Sequence, residues 1–140
     1  MVNKNKARCT GCPISYALDS FGDRWSLLIV RDILLKGYQT YSEFQLSDEK
    51  IATNILRDRL RELEEFGIIT KSKDPTNGRR ILYKLTAKGV DIAPLLVEMV
   101  RWSAKYDPDT QAKKSILEQI ESDKESFVEG LKARVTLGNQ

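Results

Sequence analysis

Histidine is absent from the sequence, and cysteine occurs only twice in 140 residues. Histidine is the usual general base beside a serine or cysteine nucleophile and a frequent ligand of zinc. Its absence removes the Ser-His and Cys-His pairs on which many hydrolases and transferases depend. We therefore expect a protein that is not an enzyme, with no catalytic residues, no cofactor and no metal ligands.

The sequence also lacks a long apolar run. The longest ones, residues 26–30 and 33–35, are separated by Arg31 and Asp32, whereas a helix that crosses a bilayer needs about 20 apolar residues. The first eight residues are polar and basic with no apolar stretch behind them, unlike a secretory signal. We expect no contact with a membrane and a cytoplasmic location.

Positive charge is concentrated in the first three quarters of the chain. The formal net charge is only +3. Residues 1–106, however, carry eighteen Lys and Arg against thirteen Asp and Glu, whereas residues 107–140 carry five against seven. A local excess of positive charge favours an anionic partner more strongly than the small net value does.

The length fits a single globular domain with short extensions. A polar arm covers residues 1–12, the domain itself covers residues 13–106, and a helical extension covers residues 107–140. The predicted fold is mostly α with a small β-hairpin. Apolar spacing and stop signals predict helices over residues 13–20, 41–46, 50–66, 87–106 with a kink at Pro94, and 110–135. A further helix is predicted between a cap at Asp23 and a stop at Gly37.

The segment over residues 50–66 has the strongest helical pattern. Its apolar side chains fall within roughly 140° of arc on a wheel of about 100° per residue. The opposite face is polar, and its acidic residues Glu64 and Glu65 lie at the C-terminal end, so the N-terminal half is free to approach DNA. Arginine suits guanine and asparagine suits adenine. The candidate DNA-contacting residues of this helix are Thr53, Asn54, Arg57 and Arg61.

Two short runs rich in β-branched and aromatic residues, 68–73 and 80–85, flank the sequence Asp-Pro-Thr-Asn-Gly. This pattern predicts a β-hairpin, with Pro75 at the turn entry and Asn77-Gly78 adopting the positive φ angles of a tight turn. The hairpin carries five Lys and Arg against one acid, Asp74. Its candidate DNA-contacting residues are Lys71, Lys73, Asn77, Arg79 and Arg80.

The order of these elements, with a basic hairpin after an amphipathic helix, matches a winged helix-turn-helix. In that fold the helix enters the major groove of double-stranded DNA, and the hairpin, or wing, lies along the phosphates. Each element alone is weak evidence, because polar helix faces are often merely solvated and surface hairpins use lysine to prevent edge pairing. The alternative is a winged-helix adaptor that binds protein and does not contact DNA.

Five blocks of the sequence occur in order and with characteristic spacing. They are Cys12-Pro13, residues 21–29, residues 57–67, residues 83–86 with Gly89, and Arg101-Trp102. Together they resemble the HxlR-type transcription regulators over residues 12–107. The resemblance implies a bacterial or archaeal winged helix-turn-helix that binds palindromic operator DNA as a homodimer. It also implies that residues 52–61 lie on the recognition helix and residues 77–80 at the wing tip.

Two segments depart from the family pattern, so base preference and wing contacts do not follow from the family. Residues 47–50 replace the usual stretch before the recognition helix, and residues 77–80 replace a Pro-Pro wing motif.

The resemblance further implies that N- and C-terminal helices join the two subunits. We expect the last helix to cover the partner with its apolar stripe, and the two tryptophans to pack in the core or the dimer contact rather than against a ligand. Two recognition helices would then enter successive major grooves, with about 34 Å between half-sites. The candidate dimerisation residues are Ile14, Leu18, Leu95, Met99 and Trp102.

Cys9 and Cys12 are candidate sensor thiols. In some HxlR-type regulators the cysteine of the Cys-Pro pair senses oxidants, quinones or aldehydes, and the resemblance implies a small electrophile or oxidant as effector. A thiol at a helix N-terminus near Arg8 also ionises more readily. One alternative is that Cys12 is a semi-buried residue at the start of the helix and Cys9 an inert thiol of the tail. The others are a thiol enzyme, although the strand expected before its Cys-x-x-Cys is missing, and a four-cysteine zinc site across a dimer.

Overall fold

A computed structural model describes residues 10–138, which form eight helices and one two-stranded antiparallel sheet. The predicted mostly α fold with a small hairpin is confirmed. Cys9 lies outside the described residues. In chain order the elements are α1 (Pro13–Phe21), α2 (Ser26–Lys36), α3 (Tyr41–Phe44), α4 (Thr53–Glu65), β1 (Ile69–Asp74), β2 (Asn77–Leu85), α5 (Ala87–Val90), α6 (Ala93–Tyr106), α7 (Lys114–Ser122) and α8 (Lys124–Gly138).

Asp23 binds the start of α2, but the helix begins at Ser26, and Trp25, not Asp23, occupies the capping position. Its Oδ1 accepts hydrogen bonds from the N–H groups of Trp25 and Ser26, at 2.7 and 2.9 Å. Burial opposes ionisation of this carboxyl, but the hydrogen bonds from Ser26 and Trp25 outweigh burial and lower its pKa. Arg59 of α4 lies 3.5 Å from Asp23 and 2.9 Å from Glu62, so it ties α4 to the start of α2.

Helix α4 begins at Thr53, later than predicted. Lys50, the predicted first residue, has a φ of 53° in the left-handed region and therefore belongs to a loop. Arg31 of α2 holds this loop, because its guanidinium donates to Ser47 Oγ at 3.2 Å and lies 3.6 Å from Glu49. The segment that departs from the family pattern is thus anchored to α2, and it delays the start of α4.

Gly67 ends α4, as the sequence predicts. It adopts a φ of 76°, and the N–H groups of Gly67 and Ile68 donate to the carbonyls of Glu64 and Leu63 at 3.0 and 2.9 Å. Both bonds satisfy the last carbonyls of the helix and turn the chain into β1. The buried face of α4 consists of Leu56, Leu60 and Leu63.

The predicted helix over residues 87–106 is two helices, so the expected kink at Pro94 is wrong. Helix α5 is capped by Thr86, whose Oγ1 accepts from the N–H of Gly89 at 3.1 Å. Helix α6 begins one residue before Pro94, which places the proline in the first turn, where its missing N–H costs nothing. Gly89 allows α5 to approach the start of β1, because a Cβ there would lie 2.2 Å from the carbonyl oxygen of Ile68.

The predicted last helix is also two helices, which meet at Asp123. Its apolar stripe packs on α2 and α6 of the same chain, so the expectation that it covers a partner subunit is wrong. Ion pairs fasten the outside of this contact: Arg101 Nε lies 2.7 Å from Glu121, and Lys124 Nζ lies 2.6 Å from Glu98. The buried residues of the stripe are Ile120, Val128, Leu131 and Val135.

Replacement of Leu131 by alanine tests the packing of α8. Leu131 is 6% exposed, so its truncation should lower the free energy of unfolding by about 2–5 kcal/mol. Chemical denaturation followed by circular dichroism, at one protein concentration, measures the change. The control Glu129→Ala removes an exposed side chain of α8 that lies 3.9 Å from Lys132, and should change stability by less than about 0.5 kcal/mol. Equal effects of the two replacements would contradict this packing.

Candidate nucleic-acid interface

Helix α3 is a single turn with a complete cap. Thr40 Oγ1 accepts from the N–H of Glu43 at 3.2 Å, and Glu43 Oε1 accepts from the N–H of Thr40 at 3.1 Å. Phe44, at the end of the turn, is 1% exposed and lies in the core. A helix this short is not stable alone, so the cap and the buried ring determine where it sits.

Helix α3 joins the start of α4 to strand β2. The Tyr41 hydroxyl donates to the carbonyl oxygen of Thr53 at 2.8 Å. On the other side, the N–H of Tyr83 donates to the carbonyl oxygen of Gln39 at 2.7 Å, and the rings of Phe44 and Tyr83 meet edge to face with centroids 6.0 Å apart. We call these five residues the α3 junction. It ties the front of α4 and the wing to the same short turn.

The candidate DNA-contacting residues of α4 are all exposed. Among the residues that the structure describes, Arg57 has no ion-pair partner, whereas Arg61 lies 3.5 Å from Asp58. Ala52 precedes the helix and provides no side-chain cap, so the N–H groups of the first turn are open to an acceptor. Contacts of Thr53, Asn54, Arg57 and Arg61 with DNA stay a prediction.

The hairpin turns earlier than predicted. Asp74 pairs with Asn77, so the turn consists of the Pro-Thr pair between them. The predicted turn at Asn77-Gly78 is therefore wrong, and both residues belong to β2. Regular pairing resumes only at Ile81, which leaves residues 78–80 as a bulge.

The Asp74 carboxylate organises this turn. Its Oδ1 accepts from the N–H and Oγ1 of Thr76 at 2.9 and 2.8 Å, and its Oδ2 accepts from Nε of Arg80 at 2.8 Å and also from Arg80 Nη2. The hydrogen bonds from Thr76, and then the one from Arg80, lower the pKa of Asp74 to about 2. The side chain is 5% exposed although it lies at the end of an exposed hairpin. We call Asp74, Thr76 and Arg80 the tip lock.

Because of the tip lock, one cation of the wing is paired with a carboxylate while others are not. All five candidate residues of the wing are exposed, but Arg80 is engaged by Asp74. Within residues 10–138, no ion pair involves Lys71, Lys73 or Arg79. These three side chains are therefore the wing cations with charge to offer a partner.

The candidate dimerisation residues lie on an exposed apolar surface of α1 and α6. Ile14 and Leu18 are 70% and 60% exposed, and together with Leu95 and Met99 they line one groove. Trp102 follows Met99 by one turn of α6 and is 68% exposed. Exposed apolar clusters of this kind are typical of contact sites. A role of these five residues in a dimer stays a prediction.

Cys12 is exposed and occupies the position just before the first turn of α1. The alternative of a semi-buried Cys12 is therefore wrong. Its pairing with Cys9 falls outside the described residues. Over residues 10–138, no cluster of three or more potential metal ligands is found, and none of the helices has the length and apolarity to span a bilayer.

Sequence reasoning misses two side chains of the interface. In the sequence, Asp74 counts only as the one acidic residue of the hairpin. Asp-Pro-Thr, however, is a signature of a turn closed by the Asp side chain. The role of the Tyr41 hydroxyl has no sequence signal, because its acceptor on Thr53 is twelve residues away. Both residues position the contact surface and neither is itself a cation.

A family model described as HxlR-like helix-turn-helix matches residues 20–111 of this chain. The chain is also similar to the HTH-type transcriptional regulator YvaP of Bacillus subtilis (strain 168). The two are 37% identical over 99 residues, which cover 69% of this chain and 91% of YvaP.

Two solved structures are similar to the fold. The crystal structure of PA1607 has a TM-score of 0.67 and 39% identity, with coverage of 75% of this chain and 73% of PA1607. The redox regulator HypR in its oxidized form has a TM-score of 0.61 and 26% identity, with coverage of 71% of this chain and 100% of HypR. The predicted HxlR resemblance is confirmed by the family model and these relatives.

The tip lock predicts an unusual acid titration. In NMR spectra of side-chain carboxyls, Asp74 should titrate near pH 2, and in Thr76→Val its midpoint should rise toward the ordinary 3.8, because one hydrogen bond to Oδ1 is lost. Since folding lowers this pKa, ionised Asp74 stabilises the wing above about pH 4, and this contribution disappears as the pH falls through 2. Thr70→Val, on the exposed side of β1, is the matched control and should leave the midpoint unchanged. A wild-type midpoint near 3.8 would rule out the lock.

Proposed function

The chain belongs to the HxlR-like helix-turn-helix family of transcription regulators, and on that premise we propose that it binds palindromic operator DNA as a homodimer. The family identification confirms the prediction of a regulator and not an enzyme. Its site of action is the cytoplasm, where bacterial and archaeal operators lie.

The observation that carries this proposal is the α3 junction. A winged helix-turn-helix contacts the major groove with a helix and the flanking backbone with a hairpin, so the two elements need a fixed relative position. The Tyr41 and Tyr83 hydrogen bonds supply such a connection. The front of α4 is open and polar, and the wing offers cations without internal partners.

Base readout is assigned to α4 and affinity to the wing. Arg57 has the length and the planar fork to bond the O6 and N7 of guanine, and Asn54, one turn earlier, matches adenine. Thr53 and Arg61 flank these two on the exposed face. Lys71, Lys73, Asn77 and Arg79 contact phosphates, which fix the register on DNA and carry little sequence information.

The apolar surface of α1 and α6 is the proposed dimer contact. A two-fold dimer presents its recognition helices to two half-sites related by the same symmetry, which is why its operator is a palindrome. Exposure of Ile14, Leu18 and Trp102 supports a contact here, because a second chain would remove their apolar area from water. The α8 stripe takes no part in it, since it is buried against its own chain.

Thiol chemistry at Cys12 is proposed to regulate DNA binding. The similar structure HypR is described as a redox regulator, and Cys12 is exposed just before α1, where a small oxidant can reach its sulfur. Helix α1 also carries Ile14 and Leu18 of the dimer surface. Modification of Cys12 by an oxidant or small electrophile would therefore alter how the two subunits meet.

Replacement of Arg57 by alanine tests base readout. The operator is first selected from genomic fragments, and binding is measured by fluorescence anisotropy. Arg57→Ala should weaken operator binding by about 1–3 kcal/mol and relax the preference at one base pair in each half-site. Lys113→Ala removes an exposed cation just before α7 and should leave the affinity unchanged. Absence of salt-dependent binding to any fragment would favour the protein-binding adaptor.

The dimer contact is tested by a charge on its apolar surface. Leu18 is 60% exposed, so Leu18→Asp should leave the helical content intact while it places an unpaired charge in the contact. Light scattering at micromolar concentration should show a dimer for the wild type and a monomer for the variant. Leu46→Asp, at a leucine that is 70% exposed outside this surface, should remain dimeric. A monomeric wild type would disprove the dimer.

Replacement of Cys12 by serine tests regulation by thiol chemistry. Mild oxidation should weaken operator binding of the wild type, and a reductant should restore it. Cys12→Ser should bind equally well under both conditions, because serine is inert to these oxidants. If oxidation weakens binding by Cys12→Ser as much as by the wild type, Cys12 is not the sensor.

A further inference from the structure

The two adjacent arginines of the wing tip have different surroundings. Arg80 donates through Nε at 2.8 Å and through Nη2 to the same oxygen, Oδ2 of Asp74. Arg79 has no ion-pair partner among the described residues, and its N–H donates to Oδ1 of Asn77 at 3.2 Å. We infer that Arg80 is a positioning residue that holds the wing tip, and that Arg79 is the arginine that contacts the DNA backbone. The second half of this inference rests on the proposed function.

The geometry of Arg80 requires a guanidinium. Its two donors converge on one carboxylate oxygen while the other oxygen of Asp74 accepts from Thr76. Lysine carries the same charge on a flexible stem and cannot reproduce a planar two-donor contact. A change from arginine to lysine at this position therefore keeps the charge and removes the lock.

The tip lock lies at the end of the bulge in strand β2. Residues 78–80 bulge out of the ladder between the Asp74–Asn77 pair and the regular pairing that resumes at Ile81. Residues 78–80 have no partner in the strand register, and side chains hold the bulge at its two ends: Asn77 Oδ1 at the beginning and the Arg80–Asp74 contact at the end. Arg79 lies between these two fixed points and is exposed.

The charges at the tip agree with this division of roles. Asp74 is ionised and buried, so it neutralises Arg80 locally, and a phosphate would have to compete with an existing charge-assisted contact. Arg79 can bind a phosphate without first giving up a contact with a carboxylate. The tip thus contributes one cation to DNA, and Lys71 and Lys73 extend the same charge along β1.

Lysine replacements at the two positions separate the roles. The probe is a fluorescent duplex of mixed sequence, and the affinity is measured over a series of salt concentrations. Arg79→Lys should bind as the wild type does, and Arg79→Ala should reduce the salt slope by about 0.9 for one lost phosphate contact. Arg80→Lys should keep the slope and lose roughly three- to tenfold in affinity, because the tip must then be ordered on binding.

Hydrogen exchange of the Thr76 amide in the free protein gives a reading that is independent of DNA. That amide donates to Asp74 Oδ1, so Arg80→Lys should accelerate its exchange and Arg79→Lys should not. Equal affinities of the two lysine variants, or an unchanged Thr76 amide in Arg80→Lys, would overturn the positioning role. If the wild type shows no salt-dependent binding, the proposed function and the role of Arg79 both fail, while the exchange rates still decide whether Arg80 holds the tip.

Discussion

The burial of one aromatic ring, that of Phe44, determines how the recognition helix and the wing stand relative to each other. Helix α3 has four residues and cannot hold a position by its own hydrogen bonds. Once Phe44 is in the core, its neighbour Tyr41 reaches the first carbonyl of α4, and Tyr83 of the wing packs against the Phe44 ring. A two-stranded hairpin is marginal alone, so this contact also stabilises the wing.

At the proposed DNA-binding surface, Arg57, Lys71, Lys73 and Arg79 have no ion-pair partner among the described residues, whereas Arg61 and Arg80 pair with Asp58 and Asp74. In the C-terminal part of the chain, Arg101 forms an ion pair with Glu121, and Lys124 forms one with Glu98. These two pairs join α7 and α8 to α6. Arg31 and Arg59 are likewise engaged by carboxylates around α2 and α4. The unpaired cations of α4 and the wing can therefore bind phosphates without first breaking an internal ion pair.

Local signals predict the end of α4 and the start of α5 correctly, because each signal acts within a few residues. The 3.6-residue spacing of Leu56, Leu60 and Leu63 and the stop at Gly67 define the course of α4, and Thr86 starts α5 as its side chain requires. The start of α4 is not predictable in this way, because it depends on Arg31 reaching Ser47 across sixteen residues.

Competition between two valid local signals explains the error at the wing tip. Asn-Gly and Asp-Pro-Thr both favour a turn, and in the structure Asp74 closes the second one by accepting from Thr76 and also from Arg80, which is six residues away. The error at α8 has another cause. Its apolar stripe predicts burial but not the covering surface, since packing on the same chain and packing on a partner produce the same periodicity.

Chemical-shift mapping of the backbone amides during titration with operator duplex tests the central claim most directly, because it reports both elements at once. The account predicts that the largest changes fall on residues 53–61 of α4 and residues 71–80 of the wing in the same titration step, while α7 and α8 keep their shifts. Changes confined to only one of the two elements, or centred on α7 and α8, would contradict a surface built by the α3 junction.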